Sequence, residues 1–165
     1  LREEHGYTYG ADSQFLFRRS AGPFLVASGV RTDVTAPAVG GIFKEIQRRP
    51  QTPMTAEELA MAKDSLVRSL PSDFQTSGNV TASTANLYIF DLGLDYFSKY
   101  PERLSSITVE QAKAAAEKYL VPEKMLVVAV GDRAKIQPAL QKLSLGSPEI
   151  RSADGSIASG ARATQ

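Results

Sequence analysis

Leu1-Arg2-Glu3-Glu4-His5-Gly6-Tyr7-Thr8-Tyr9-Gly10 opens the chain and reads as a charged turn running into a strand. From Tyr7 to Phe17, aromatic or aliphatic residues alternate with small or polar ones, the period of two that marks a half-buried strand. Arg18-Arg19-Ser20-Ala21-Gly22-Pro23 breaks the alternation, and Phe24-Leu25-Val26-Ala27-Ser28-Gly29-Val30 resumes it. Two strands joined by a turn are predicted. No initiator Met precedes the run, so the sequence reads as starting partway through a structural unit, and a fragment is expected.

Beyond the second strand the period changes to that of helices. Thr32 or Asp33 can cap a first helix carrying Val34, Val39, Ile42, Phe43 and Ile46, which should end before Pro50. Thr55 and Glu58 form a capping box for a second helix, with Leu59, Ala62, Leu66 and Leu70 as its apolar stripe. A third helix is predicted within Asp73 to Leu92, and a short fourth over Tyr96, Phe97 and Tyr100, stopped by Pro101. Thr108 and Gln111 cap a fifth, with Ala112, Ala115, Ala116, Tyr119 and Leu120 on its apolar face and Pro122 at its end. The apolar, β-branched run from Lys124 to Gly131 predicts a strand buried on both faces. Asp132 can cap a last short helix near Pro138. The fold class is therefore α+β, a small mixed or antiparallel sheet covered by several helices. Residues 1–145 are expected to form one unit, and the Gly- and Ser-rich residues 146–165 a flexible tail.

Composition excludes more functions than it selects. An apolar fraction of 42% and a charged fraction of 22% suit a folded domain, and rule out a disordered or collagen-like chain. Lys and Arg number 19 against 18 Asp and Glu, with no long basic block, so neither nucleic acid nor a membrane surface is indicated as a partner. The absence of Cys removes disulfides, thiolate zinc sites and Cys nucleophiles, and leaves the compartment open between a periplasmic or secreted location and the cytoplasm. No run is long and apolar enough to span a bilayer.

Few side chains could carry hydrolytic chemistry. His5 is the one imidazole, and with only Glu3 and Glu4 beside it falls short of a zinc ligand set. Leu1 to His5 matches His-x-x-Glu-His except that Leu1 stands where the first His belongs, so a zinc helix is not expected. No Ser lies in a Gly-x-Ser-x-Gly elbow. Gly40-Gly41 lacks the spacing of a phosphate loop and is expected to let the first helix pack closely on the sheet. The remaining candidates are hydrogen-bond donors: the Arg2 guanidinium and the hydroxyls of Tyr7 and Tyr9, which point the same way on a regular strand. The alternative is a surface salt bridge for Arg2 and half-buried strand positions for both tyrosines.

The opening run resembles the Leu-Arg-Glu-x-x-Gly-x-x-Tyr segment in the second halves of zinc peptidases of the M16 family, which includes pitrilysin, insulinase and the mitochondrial processing peptidase. The similarity continues through Ser28-Gly29-Val30, Met54 to Leu59, Leu104 to Val109 and Met125 to Asp132, covering roughly residues 1–143. The resemblance implies a partial domain of the LuxS/MPP-like metallohydrolase fold, from the half that binds no metal. It implies that Arg2 and Tyr7, with Tyr9 as the alternative hydroxyl, assist catalysis from the metal-free side. No cofactor is expected in this chain; zinc is expected in a partner domain or subunit, with an extended peptide as substrate.

Three readings of function follow. The first is the non-catalytic half of such a peptidase, inactive alone, binding extended peptide by pairing along a sheet edge. The second is a structural or assembly module of the same fold without a catalytic role. The third is an unrelated α+β domain with its own active site. The exposed sheet edge expected of a fragment also makes a homo-oligomer a natural partner state.

Overall fold

The alternating residues after Gly6 form β1 (Thr8–Phe15), and the run after Pro23 forms β2 (Phe24–Val30); together they make a two-stranded antiparallel sheet. The structure is a computed structural model and describes residues 6–52 and 54–157. Along β2 half-buried and exposed residues alternate, as in a strand with one covered face. The connection between the strands is tight: the Leu16 N–H donates to the Pro23 carbonyl at 2.9 Å. A Cβ at position 22 would lie 1.8 Å from the Leu16 oxygen, so only glycine fits there.

Six α-helices follow among the described residues: α1 (Thr35–Gln51), α2 (Ala56–Ser69), α3 (Ser77–Ile89), α4 (Tyr96–Ser106), α5 (Val109–Tyr119) and α6 (Arg133–Gln141). This is the α+β class predicted from the sequence. None of these helices is long and apolar enough to cross a membrane. The chain divides into two compact units. One takes in the described residues up to Ala11, Ser28–Phe43 and those from Leu126 on; the other is Asp12–Ala27 with Lys44–Met125.

In the first unit a 3-10 turn, Thr32–Val34, precedes α1, and α6 packs against it. Val34, Ala36, Ala38 and Ile136 are the buried apolar residues here. Neither Thr32 nor Asp33 caps α1. Instead the Thr35 hydroxyl donates to the Thr32 carbonyl (3.0 Å), and Asp33 pairs with Arg31. Asp132 does cap α6, accepting from the Ala134 N–H at 3.1 Å. A Cβ at Gly40 would meet Leu143 Cδ2 at 3.7 Å, an ordinary contact, so Gly40 serves no close helix-to-sheet approach. Further on, Arg151 and Ile157 form an antiparallel bridge around a turn, with the Ser152 N–H donating to the Ser156 carbonyl at 2.8 Å.

The predicted core strand is absent from this unit. Residues 125–130 belong to no strand, and Leu126, Val128 and Val130 are 87%, 78% and 95% exposed. A strand needs a neighbour for its N–H and C=O groups, and the described residues offer none to this run.

The second unit is mostly helical. Both capping boxes form: the Glu58 N–H donates to Thr55 Oγ1 (3.1 Å) and the Thr55 N–H to Glu58 Oε2 (2.8 Å), with Thr108 and Gln111 arranged alike. Thr76 caps α3 through the Asn79 N–H at 3.1 Å, so this helix starts later than Asp73. The inner side of α2 is Leu59, Lys63, Val67 and Leu70, whereas Ala62 and Leu66 are exposed. Lys63 Nζ donates to the carbonyls of Ser105 (2.8 Å) and Ile107 (2.6 Å), at the end of α4 where carbonyls lack helical partners. Phe74 meets Phe97 edge-on at 5.0 Å, and Phe15 meets Phe24 at 4.9 Å.

Two prolines do not stop their helices. Pro50 lies in the last turn of α1, where the Thr52 N–H still reaches the Arg48 carbonyl at 2.8 Å. Pro101 lies inside α4, whose two ends are held by the Phe97 contact and by Lys63. Each proline removes one backbone hydrogen bond, and at Pro101 the packing of α4 offsets that loss.

Candidate functional site

The predicted site sits at the open end of the hairpin. Tyr7 precedes β1 by one residue and is half-buried; its carbonyl accepts from the Arg31 N–H at 3.4 Å. Tyr9 lies in β1. Arg2, like Glu3, Glu4 and His5, falls outside the described residues.

Hydroxyls fix the register of this end. Thr8 is buried, and its hydroxyl lies 2.6 Å from the Gly29 carbonyl and 2.7 Å from that of Gly10. The Ser28 hydroxyl lies 2.9 Å from the Gly10 carbonyl and 3.1 Å from Thr8 Oγ1, which also accepts from the Gly10 N–H at 3.1 Å. Each hydroxyl has one proton to donate, so the donors are shared among these carbonyls rather than all satisfied together. The clasp ties the two strands together beside Tyr7.

A charged pair stands at the exit of β2. Arg31 Nε and Nη2 donate to Asp33 Oδ1 (3.2 Å) and Oδ2 (3.1 Å), a bidentate geometry. These hydrogen bonds raise the Arg31 pKa and hold the Asp33 carboxyl below the usual carboxylate range. Both side chains are about two-thirds exposed, 66% and 69%, so the guanidinium's outer face remains open to solvent.

Sequence reasoning singled out none of Thr8, Ser28, Arg31 and Asp33 as site residues. Setting Tyr7 opposite Arg31 brings Ser28 opposite Gly10 and diagonal to Thr8, so the signal was in the hairpin register rather than in any motif. The sheet consists of these two strands alone among the described residues, and the Thr8 and Ser28 hydroxyls take the Gly10 N–H and carbonyl.

Nothing else among the described residues rivals this place. No three His, Asp or Glu side chains converge there as metal ligands would, so the donor set described does not fit a zinc site. A surface hollow along α6 is lined by Arg133, Ala134, Gln137, Pro138 and Gln141, but Arg133 Nε is already bonded to Gln137 Oε1 at 2.7 Å. It offers no nucleophile or carboxylate.

No protein-family model and no curated protein sequence matches this chain. A crystal structure of a peptidase M16 inactive domain from Pseudomonas fluorescens is similar to it, with a TM-score of 0.64 and 26% sequence identity over 73% of this chain. The matched part makes up 29% of that protein, so the chain spans well under two thirds of its neighbour's length. The fold is M16 inactive-domain-like, as the opening run implied.

Proposed function

We propose that this chain, with the fold of a peptidase M16 inactive domain, is the metal-free half of an M16-like zinc metallopeptidase, complementing a zinc-bearing partner domain or subunit. The observation that carries the reading is the structural likeness over 73% of the chain to a domain described as inactive. It is supported by the donor inventory, which is rich in hydrogen-bond donors and poor in metal ligands and general bases.

In this reading an extended peptide pairs along the free edge of the β1–β2 hairpin, where main-chain hydrogen bonds bind it without strict sequence preference. The Arg2 guanidinium and the Tyr7 hydroxyl, with Tyr9 as the alternative, donate to the carbonyl oxygen as negative charge develops on it. The Thr8–Ser28 clasp keeps β1, which follows directly on Tyr7, in one register while this happens. Zinc held by the partner would supply an activated water. Residues 1–145 are the working part, and 146–165 stand outside it.

The test is kinetic, in the assembled enzyme. Arg2→Ala or Tyr7→Phe should lower kcat/KM by about 10²-fold, the usual loss of one oxyanion donor, with zinc occupancy unchanged. Unchanged kinetics in both variants removes the proposed role. Peptide binding that survives in neither the chain nor its assembly would instead support the structural module.

A further inference from the structure

We infer that Arg31 is a peptide-binding residue at the open end of the hairpin, its guanidinium donating to a main-chain carbonyl of the extended peptide beside the one that Tyr7 serves. This role rests on the peptidase function proposed above, and adds to it a residue that holds substrate without joining the chemistry. Arg31 and Tyr7 stand opposite each other: the Arg31 N–H donates to the Tyr7 carbonyl at 3.4 Å, and the Arg31 backbone is still extended (φ −62°, ψ 146°). Opposite residues of an antiparallel pair project to one face with Cβ atoms about 4.5–5.5 Å apart, so the guanidinium and the phenol share that face. The Arg31 pKa is raised chiefly by Asp33 and in smaller part by the negative charge the Tyr7 phenol can take, which sets the two side chains within electrostatic reach. Tyr7, Arg31 and Asp33 belong to one compact unit.

Asp33 makes the guanidinium a directed donor. It takes Nε and Nη2 side-on, at 3.2 and 3.1 Å, and leaves both hydrogens of Nη1 and one of Nη2. Nothing among the described residues takes these donors. β2 ends at Val30 and the 3-10 turn Thr32–Val34 follows, so a peptide running along that edge finds no strand backbone beyond Val30. The guanidinium supplies donors at that step. Gly29, two residues before Arg31 and on the same face, has no side chain, and a Cβ there would meet no atom within 4 Å, so a peptide backbone can come close beside the guanidinium. Because Asp33 balances the charge of Arg31, a neutral carbonyl suits the pair, whereas an acidic side chain would face the Asp33 carboxylate.

The test uses the assembled enzyme and matched fluorogenic peptides that carry either Glu or Gln at the positions flanking the cut. Arg31→Met should raise KM about tenfold with kcat little changed, the mark of an interaction made equally in the ground and transition states. Arg31→Lys keeps the charge and loses the fork, and should recover only part of that loss. Wild type should not distinguish Glu from Gln. Asp33→Asn leaves the guanidinium charge unbalanced, and should prefer Glu about two- to fivefold at low salt, the size of an exposed ion pair, and less at high salt. An unchanged KM in Arg31→Met beside a lowered kcat/KM in Tyr7→Phe overturns the role of Arg31 and leaves the proposed function standing. Unchanged kinetics in Arg31→Met, Arg2→Ala and Tyr7→Phe together overturns both. Full recovery by Arg31→Lys, or no preference for Glu in Asp33→Asn, also overturns the role, because a surface salt bridge that meets no substrate would behave that way.

Discussion

Helices α2 and α5 and the run from Leu126 to Val130 carry sequence signals of similar clarity, and the fold treats them oppositely. The helices start where Thr55 and Thr108 say they should, with both capping boxes closed. The run, as apolar and β-branched as a central strand, has its alternate side chains in solvent. A capping box is complete within four residues, so its sequence is enough to build it. A strand signal states a need for partners, which lie elsewhere in sequence or in another chain.

The largest effect that could break this contrast lies at Lys63, where the helical region depends on a distant contact. Its ammonium holds two carbonyls more than forty residues away, at the end of α4. Lys63→Met keeps the aliphatic stem and removes the charge and both hydrogen bonds. It should lower the unfolding free energy by about 1–3 kcal/mol in a denaturant titration, as expected when a charge-assisted bond is lost. A loss below a few tenths of a kcal/mol would mean that the helices stand on local signals alone.

Smaller effects belong to the caps themselves. Thr55→Ala and Thr108→Ala should each cost about 1 kcal/mol. Because the two sites share no partner, the double variant should lose close to the sum of the single losses. Clear non-additivity by the same titration would show that the two helix starts are coupled, and that the local reading of them is incomplete.

What was legible follows the same division. The hairpin, both capping boxes and the Asp132 cap were readable because each is complete within a short stretch. Pro50 and Pro101 were misread as stops: α1 runs only one residue past Pro50, and at Pro101 packing decides whether the helix survives one missing hydrogen bond. The stripe of α2 was misread at Ala62 because Lys63, a charged residue, turns inward to reach carbonyls no local rule anticipates. At the candidate site Tyr7 and Tyr9 stood out as donors on one strand. The Thr8–Ser28 clasp depends on how the strand ends are set against one another, which residue types alone do not give, and the Arg31–Asp33 pair, though only two residues apart, belongs to no motif.

The smallest expected effect sharpens the contrast most. Val128 is 78% exposed, so Val128→Ser removes little apolar surface from contact with other residues of the same chain. Its unfolding free energy should change by no more than about 0.5 kcal/mol, the range of ordinary surface substitutions. A buried strand valine would cost about 1.5–3 kcal/mol instead, from lost burial alone. A cost of core size would place Val128 in a packed environment, and the difference between local and distant signals would then need another explanation.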